Sequence, residues 1–316
     1  MSIPVLTDLG HGRQLIDLHF HGTPTVIGAY VLPLADGWAL VETGPTRCRE
    51  MLLAGLARAG VAPEEVRQVF LTHIHLDHGG GAGALLRDLP NAMFYCHESG
   101  VRHLIDPARL EASARKAWGS VYDEYLGSIT PMDPSRLTAL RGGESFPLRD
   151  GPLEVLPTPG HARHHLSFFD ARSQAMLTGD SAGVRLPHSD RARPAVPPPD
   201  LDLEQLFDSL DRMAAKEPTA LWYTHFGPFQ GRATDELRRY ADTVREWLDV
   251  ARSAAAERPE VPFIAARLRE HELRRISSEL ALQSEHLEDL VSGPEMAAMG
   301  FLRYLETHGE LPPRAP

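Results

Sequence analysis

Thr72-His73-Ile74-His75-Leu76-Asp77-His78-Gly79-Gly80-Gly81 is the stretch that most constrains this chain. It places three imidazoles and one carboxylate side by side, directly after the apolar run Val69-Phe70-Leu71. That run reads as the end of a buried strand over Val66–Leu71. Imidazole nitrogen and carboxylate oxygen are the donors that a zinc-type divalent ion prefers. In an extended segment alternate side chains share a face, so His73 and His75 can grip one ion. Asp77 and His78 follow where the chain must turn, within reach of a second ion. The glycines let the backbone curl tightly ahead of a helix expected over Ala82–Arg87.

Further donors stand at the ends of later strands. Leu153–Pro157 reads as a strand, and after Thr158-Pro159-Gly160 it delivers His161 to a position from which it can meet His73 and His75. Leu166–Phe169 and Ala175–Leu177 pair as a hairpin around Asp170-Ala171-Arg172. The second of them runs into Thr178-Gly179-Asp180-Ser181, which places Asp180 to bridge two ions. A last strand, Ala220–Tyr223, delivers Thr224-His225-Phe226-Gly227-Pro228, and His225 completes the second site. His164 and His165 read as packing or supporting groups. His19 and His21 alternate with apolar residues and read as half-buried strand residues at the edge of the site mouth.

The pattern His-x-His-x-Asp-His after a strand resembles the signature of the metallo-β-lactamase superfamily, a large group of mostly metal-dependent hydrolases. The resemblance spans residues 14–230 and is nearest to a branch related to glyoxalase II and the superfamily's lactonases. It implies an α/β fold: an αββα sandwich of two mixed sheets face to face, helices outside and metals at one edge. It assigns His73, His75 and His161 to one metal, Asp77, His78 and His225 to the other, and Asp180 to both. The family usually has an aspartate, supporting a ligand from behind, where this chain has Glu42. The cofactors implied are two divalent ions, zinc first, with manganese or iron as alternatives. Such a pair lowers the pKa of a shared water towards about 7, and Asp77 is the natural proton acceptor.

The implied function is a dinuclear zinc hydrolase that cleaves an ester, thioester or lactone through a metal-bridging hydroxide. Ser181-Ala182-Gly183-Val184-Arg185-Leu186 replaces the Gly-Arg segment usual in glyoxalase II-type thioesterases, which counts against glutathione thioesters. Tyr122, Tyr125 and Tyr223 are candidates for the tyrosine that lactonases use near the leaving group. β-Lactamases generally lack an aspartate like Asp180, and nucleases of the superfamily fit poorly with an acidic chain. Two alternatives remain: a mononuclear iron persulfide dioxygenase using His73, His161 and Asp180, and a metal-bound interaction module without turnover.

The 316 residues suffice for one large domain or two ordinary ones. We expect a metal domain over 1–231 and a helical subdomain over 232–316, packed on it or on a second copy, as in a homodimer. A net charge of −11 argues against nucleic acid and leaves a small-molecule substrate. Met1–Gly10 lacks a basic segment and an apolar core, and no apolar run approaches the roughly 18 residues of a membrane span. A cytoplasmic protein with Cys48 and Cys96 reduced is expected. The remaining elements expected are strands at Leu15–Phe20, Thr25–Leu32, Trp38–Val41 and Ala92–Cys96. Helices are expected from a Thr46 cap to Ala59, over Arg109–Leu126, Asp202–Lys216, a Thr234 cap to Arg258, Phe263–Ser277, Glu279–Val291 and Pro294–His308. The long segment Glu98–Leu140 reads as a lid or as a helix pair on the sheet edge, and Pro187–Pro199 as a covering loop.

Overall fold

Two mixed sheets carry the architecture. The computed structural model describes residues 5–185, 191–229, 231–274, 291 and 293–311. The first sheet has seven strands in sequence order: β1 (Leu6–Gly10), β2 (Arg13–Asp17), β3 (Gly28–Leu34), β4 (Gly37–Val41), β5 (Val66–Phe70), β6 (Met93–His97) and β7 (Leu137–Leu140). Its first half is an antiparallel meander, while β4 to β7 run parallel. Parallel neighbours need crossovers, and these are helical: α1 (Arg49–Arg58) lies between β4 and β5, and the single turn α2 (Leu76–Gly79) follows β5. Between β6 and β7 come α3 (Glu98–Ile105), α4 (Ala108–Trp118) and α5 (Tyr122–Tyr125).

The second sheet has six strands: β8 (Ser145–Leu148), β9 (Gly151–Pro157), β10 (Leu166–Asp170), β11 (Ala175–Gly179), β12 (Ala220–Tyr223) and β13 (Gly227–Phe229). Strands β9, β10 and β11 are antiparallel neighbours. Helix α6 (Leu203–Ala214) carries the crossover to β12, which pairs parallel to β11. Asp202 caps that helix, accepting from the Gln205 backbone N–H at 3.0 Å. Apolar side chains of both sheets meet in the middle layer, among them Leu32, Phe70, Val155, Phe168 and Trp222. A second core lies between the first sheet and its helices, including Leu52, Leu56 and Phe94. A third joins α6 to α7 (Ala233–Glu257), α8 (Val261–Leu273) and α9 (Pro294–Thr307) over the second sheet. The result is a helix–sheet–sheet–helix sandwich with additional helices at the C-terminal end.

A buried ion cluster ties the sheets together. Arg13, fully buried on β2, donates from Nη2 to Asp150 at 2.7 Å and from Nε to Asp170 at 2.8 Å. Both acceptors belong to the second sheet or its turns, so the guanidinium's charge and its fork of donors are satisfied across the sandwich.

Several expected details differ. The segment expected as the helix Ala82–Arg87 is a 3-10 turn over Gly83–Leu86. There Gly83 lies so close to Thr130 that a Cβ would fall 1.8 Å from the Thr130 carbonyl oxygen. Strands β1, β7, β8 and β13 are short or polar, and their pattern gave no signal. The expected helix Arg109–Leu126 breaks at Gly119, which takes a positive φ of 59°. Thr46 does not cap α1; its hydroxyl donates to the carbonyls of Gly80 and Ser128. Arg232, not Thr234, precedes α7, without a side-chain cap. His19 and His21 are not strand residues: β2 ends at Asp17, and both histidines take left-handed backbone conformations. The expected helix Glu279–Val291 apart from its last residue, the end of Phe263–Ser277 and the start of Pro187–Pro199 lie outside the described residues. No helix among the described residues is long and apolar enough to cross a membrane.

Cys48 and Cys96 are unpaired, 3% and 0% exposed, and burial pushes both thiols up to about 12. A thiol held that far above neutrality presents almost no thiolate. Neither cysteine should therefore react with a disulfide reagent at pH 8 in the folded protein, and both should react after denaturation. Rapid labelling of the native protein would contradict this packing.

Candidate metal centre

Strand ends on the two sheets gather at one edge of the sandwich. Just beyond Phe70, the last residue of β5, the chain leaves the strand and bends at Thr72, passes through His73 and His75, and then coils into α2, which carries Asp77 and His78. His161 follows β9, Asp180 follows β11 and His225 follows β12. All seven side chains expected from the sequence meet there. They form three overlapping groups: His73, His75 and His161; His73, His78 and Asp180; and Asp77, His78 and His225. Asp180 touches both sides. Its Oδ1 lies 3.3 Å from His78 Nε2 and 3.6 Å from His225 Nε2, while Oδ2 lies 3.6 Å from His161 Nε2.

The hydrogen bonds behind the rings fix the tautomers. His161 Nδ1 faces the Ala195 carbonyl at 2.8 Å, and His225 Nδ1 faces the Val26 carbonyl at 2.7 Å. A carbonyl only accepts, so each Nδ1 carries a proton and each Nε2 is the nitrogen turned towards the cluster. His78 Nδ1 likewise faces the Glu42 carboxylate at 3.1 Å. Thr72 donates its hydroxyl proton to Glu42, so its oxygen accepts from His73 Nδ1 at 3.0 Å. The inward-facing nitrogens then converge: His78 Nε2 and His225 Nε2 stand 3.1 Å apart. On the other side, His75 Nδ1 is 3.0 Å from His73 Nε2 and 2.9 Å from His161 Nε2. Two facing lone pairs this close repel, so a cation must sit among them: a proton, which the raised pKa values of His78 and His225 favour, or a metal ion in its place. The residues therefore fit a metal, and the centre is able to hold metal ions.

The electrostatics agree with that fit. Burial, reinforced by neighbouring imidazoles, holds His73 well below its ordinary pKa and His75 at about 4. Burial also lowers His161. These rings are neutral at physiological pH, the form that coordinates. Burial opposes protonation of His78 and His225 too, but Asp180 and Asp77 outweigh it and raise both. Burial pushes Asp77 up, yet His78 and His225 bring it down to about 2; Asp180 is drawn well below its ordinary value by the same two rings. Both aspartates are thus anionic and available as ligands.

A second layer holds the donors in place. Glu42, fully buried with a positive φ of 75°, accepts from Thr72 and Thr224 as well as facing His78. Left-handed backbone at a non-glycine residue costs about 1–3 kcal/mol, so this carboxylate is held against strain. The longer side chain here occupies the supporting place expected of it. His165 accepts from the Asp180 backbone N–H at 3.1 Å through Nε2, and its Nδ1 lies 2.9 Å from both Thr158 Oγ1 and Ser181 Oγ. Gly179 has φ 50°, and a Cβ there would fall 2.5 Å from His165 Nε2 and 2.8 Å from the Thr72 Cβ. The sequence alone does not mark Thr72. Its only signal is a hydroxyl residue next to the first histidine.

A cleft of about 440 Å³ opens onto the centre and is lined by His75, Asp77, His161 and Asp180. One wall is α4, through Leu110, Ala114 and Trp118; another is Pro197, Pro198 and Pro199. The α3–α4 segment thus walls the site, and the described part of the proline-rich loop covers it. His164 lines the cleft, whereas His19 and His21 join none of the metal-capable groups; His21 instead stacks on Tyr125 at 4.1 Å. None of the three candidate tyrosines lines the cleft. Tyr122 and Tyr223 are buried in the cores, and Tyr125 packs against Phe20 and His21.

A sandwich of two mixed sheets with a histidine and aspartate cluster at one edge defines a metal-binding α/β protein. The chain belongs to the metallo-beta-lactamase superfamily, whose family model matches residues 22–225. It is 28% identical over 177 residues to the metallo-beta-lactamase fold-containing protein ST1585 of Sulfurisphaera tokodaii, covering 55% of this chain and 65% of that protein, just under two thirds. It is 27% identical over 165 residues to the atrochrysone carboxyl ACP thioesterase of Aspergillus fumigatus, covering 52% of this chain and 41% of the relative. Among solved structures, the metallo-beta-lactamase family protein TTHA1429 from Thermus thermophilus superposes with a TM-score of 0.66 at 22% identity. That likeness covers 99% of this chain and 95% of the other, and it extends the shared fold through the C-terminal helices.

Removing the Glu42 carboxylate should free the His78 ring and both threonine hydroxyls. Loss of such a supporting partner typically weakens metal binding roughly 10–100-fold. Glu42→Ala should show a drop of that size for zinc in a competition titration with a chelator. Unchanged affinity would mean that Glu42 does not orient His78.

Proposed function

We propose that this protein is a dinuclear-metal hydrolase acting on an ester-type bond, with esters and thioesters first. The observation that carries the proposal is the Asp180 carboxylate, one oxygen of which faces His78 and His225 while the other faces His161. A carboxylate shared in this way suits two ions side by side: His73, His75 and His161 would hold one, Asp77, His78 and His225 the other, and Asp180 both. Two divalent ions, most simply zinc, supply a hydroxide nucleophile at neutral pH and polarise a carbonyl.

The chain's own residues do the rest. Asp77, anionic and 17% exposed at its side chain, is the more exposed of the two carboxylates that face both the cluster and the cleft. It is placed to accept and return a proton during the reaction. Buried Glu42, Thr72 and His165 keep the rings and Asp180 oriented, so little reorganisation is needed as charge develops. The thioesterase relative supports the ester-type reading, and the absence of the three candidate tyrosines from the cleft, among the described residues, favours esters and thioesters over lactones.

Protein purified without added metal should contain about two divalent ions per chain by elemental analysis, and it should hydrolyse a panel of aryl esters and acyl thioesters. Asp180→Ala should lose the second equivalent of metal and fall to background hydrolysis. About one iron per chain, with oxygen uptake on a persulfide substrate, would replace this reading with sulfur oxidation. Full hydrolysis by a metal-depleted sample would end the metal mechanism altogether.

A further inference from the structure

The cleft is not chemically uniform along its length. At the rim where α3 hands over to α4, three arginines, Arg102, Arg109 and Arg163, line it together with His103. Arg163 is already neutralised: its guanidinium grips the Asp200 carboxylate, with Nε donating at 2.9 Å. Arg102 and Arg109 are exposed, and neither forms an ion pair among the described residues; Arg102 Nε donates only to His103 Nε2, at 3.1 Å. Burial and then the charges of Arg102, Arg163 and Arg109 hold His103 below its ordinary pKa, against the opposing charge of Asp200. The other carboxylates lining the cleft, Asp77 and Asp180, are committed to the metal centre.

Folding alone does not account for Arg109. It occupies the first turn of α4, where the helix dipole disfavours a cation. Two uncompensated guanidinia beside an active-site cleft are also unexpected in a chain of net charge −11. A local positive field in such a chain concentrates anions at the cleft mouth. Beyond Arg109 the same helix turns apolar towards the cleft. Leu110, Ala114 and Trp118 recur every four residues on one face, a strip of about 12 Å at the rise of an α-helix.

We propose that the cleft takes a substrate with an anionic group, carboxylate or phosphate, bound by Arg102 and Arg109, and an apolar portion laid along Leu110, Ala114 and Trp118. The proposal rests on the hydrolase reading for the bond that is cleaved; the anion site itself stands on the cleft.

Two matched pairs of ligands test it on the zinc-loaded protein by titration calorimetry. 4′-Phosphopantetheine and pantetheine share a thiol and differ in one phosphate; adipate and hexanoate share one carboxylate and differ in a second. Contacts with the metals are thereby the same within each pair. At least one pair should show a roughly tenfold preference for the more anionic member, as charge-assisted contacts provide, and the preferred pair tells phosphate from carboxylate. In the Arg102→Ala/Arg109→Ala double variant that preference should fall to about twofold or less, with partial recovery in the lysine versions. Both side chains are exposed, so an unchanged melting temperature checks that the variants fold. Equal binding within both pairs, or a preference that survives the double variant, overturns the proposal. Hydrolysis of the corresponding esters and thioesters is followed separately. Arginine-dependent anion binding without any hydrolysis would refute the hydrolase reading and leave the anion site standing.

Discussion

The convergence of inward-facing ring nitrogens is the constraint on which this structure depends. His78 and His225 each commit Nδ1 to an oxygen acceptor and bring their Nε2 atoms to 3.1 Å from one another. His73 and His161 do the same opposite His75. In a buried, low-dielectric pocket such repulsion is not screened, so the arrangement calls for cations held between rings and carboxylates. The acceptors that enforce it are backbone carbonyls of Val26 and Ala195 and the Glu42 carboxylate. The centre is therefore specified as much by the walls behind the rings as by the rings themselves.

Those walls exist because two sheets are locked face to face. Arg13 spans the sheets to Asp150 and Asp170, and the Tyr30 hydroxyl donates to the Tyr223 carbonyl at 2.6 Å, one residue before the Thr224-His225 segment. Val26, which fixes His225, precedes β3 of the first sheet, while His225 follows β12 of the second. Shifting either sheet by one residue would turn side chains to opposite faces and break these pairs. Strain at Glu42 and close packing at Gly179 mark places where the backbone accepts an unfavourable geometry to hold the donors.

Outside the centre, the cleft combines an apolar helix face with a cationic rim. The net negative chain makes that rim stand out, since general electrostatics would repel the anions it attracts. On the proposed function, chemistry and selectivity are divided between elements: strand ends would hold the reactive groups, and the α3–α4 segment with the proline-rich loop would shape what reaches them. This division fits the general placement of variable, substrate-facing residues on segments carried by a rigid scaffold.

The sequence by itself determined the donor set, because a tight cluster of histidines and aspartates at strand ends has few other chemical uses. It also determined the strongly patterned elements: β10 with β11, β12, α6 and α7 fall within a few residues of expectation. It was silent on β1, β7, β8 and β13, short strands whose identity comes from their pairing partners and not from their own composition. It misplaced His19 and His21, whose alternation with apolar neighbours imitates a strand, because local pattern carries no record of the turn imposed after Asp17. Thr72, the tautomers of the rings and the two cationic residues at the cleft rim were decided by tertiary structure alone. Each depends on groups far apart in sequence, such as Glu42 with Thr224 or Arg102 with Arg163, and only packing brings their charges and hydrogen bonds within reach of one another.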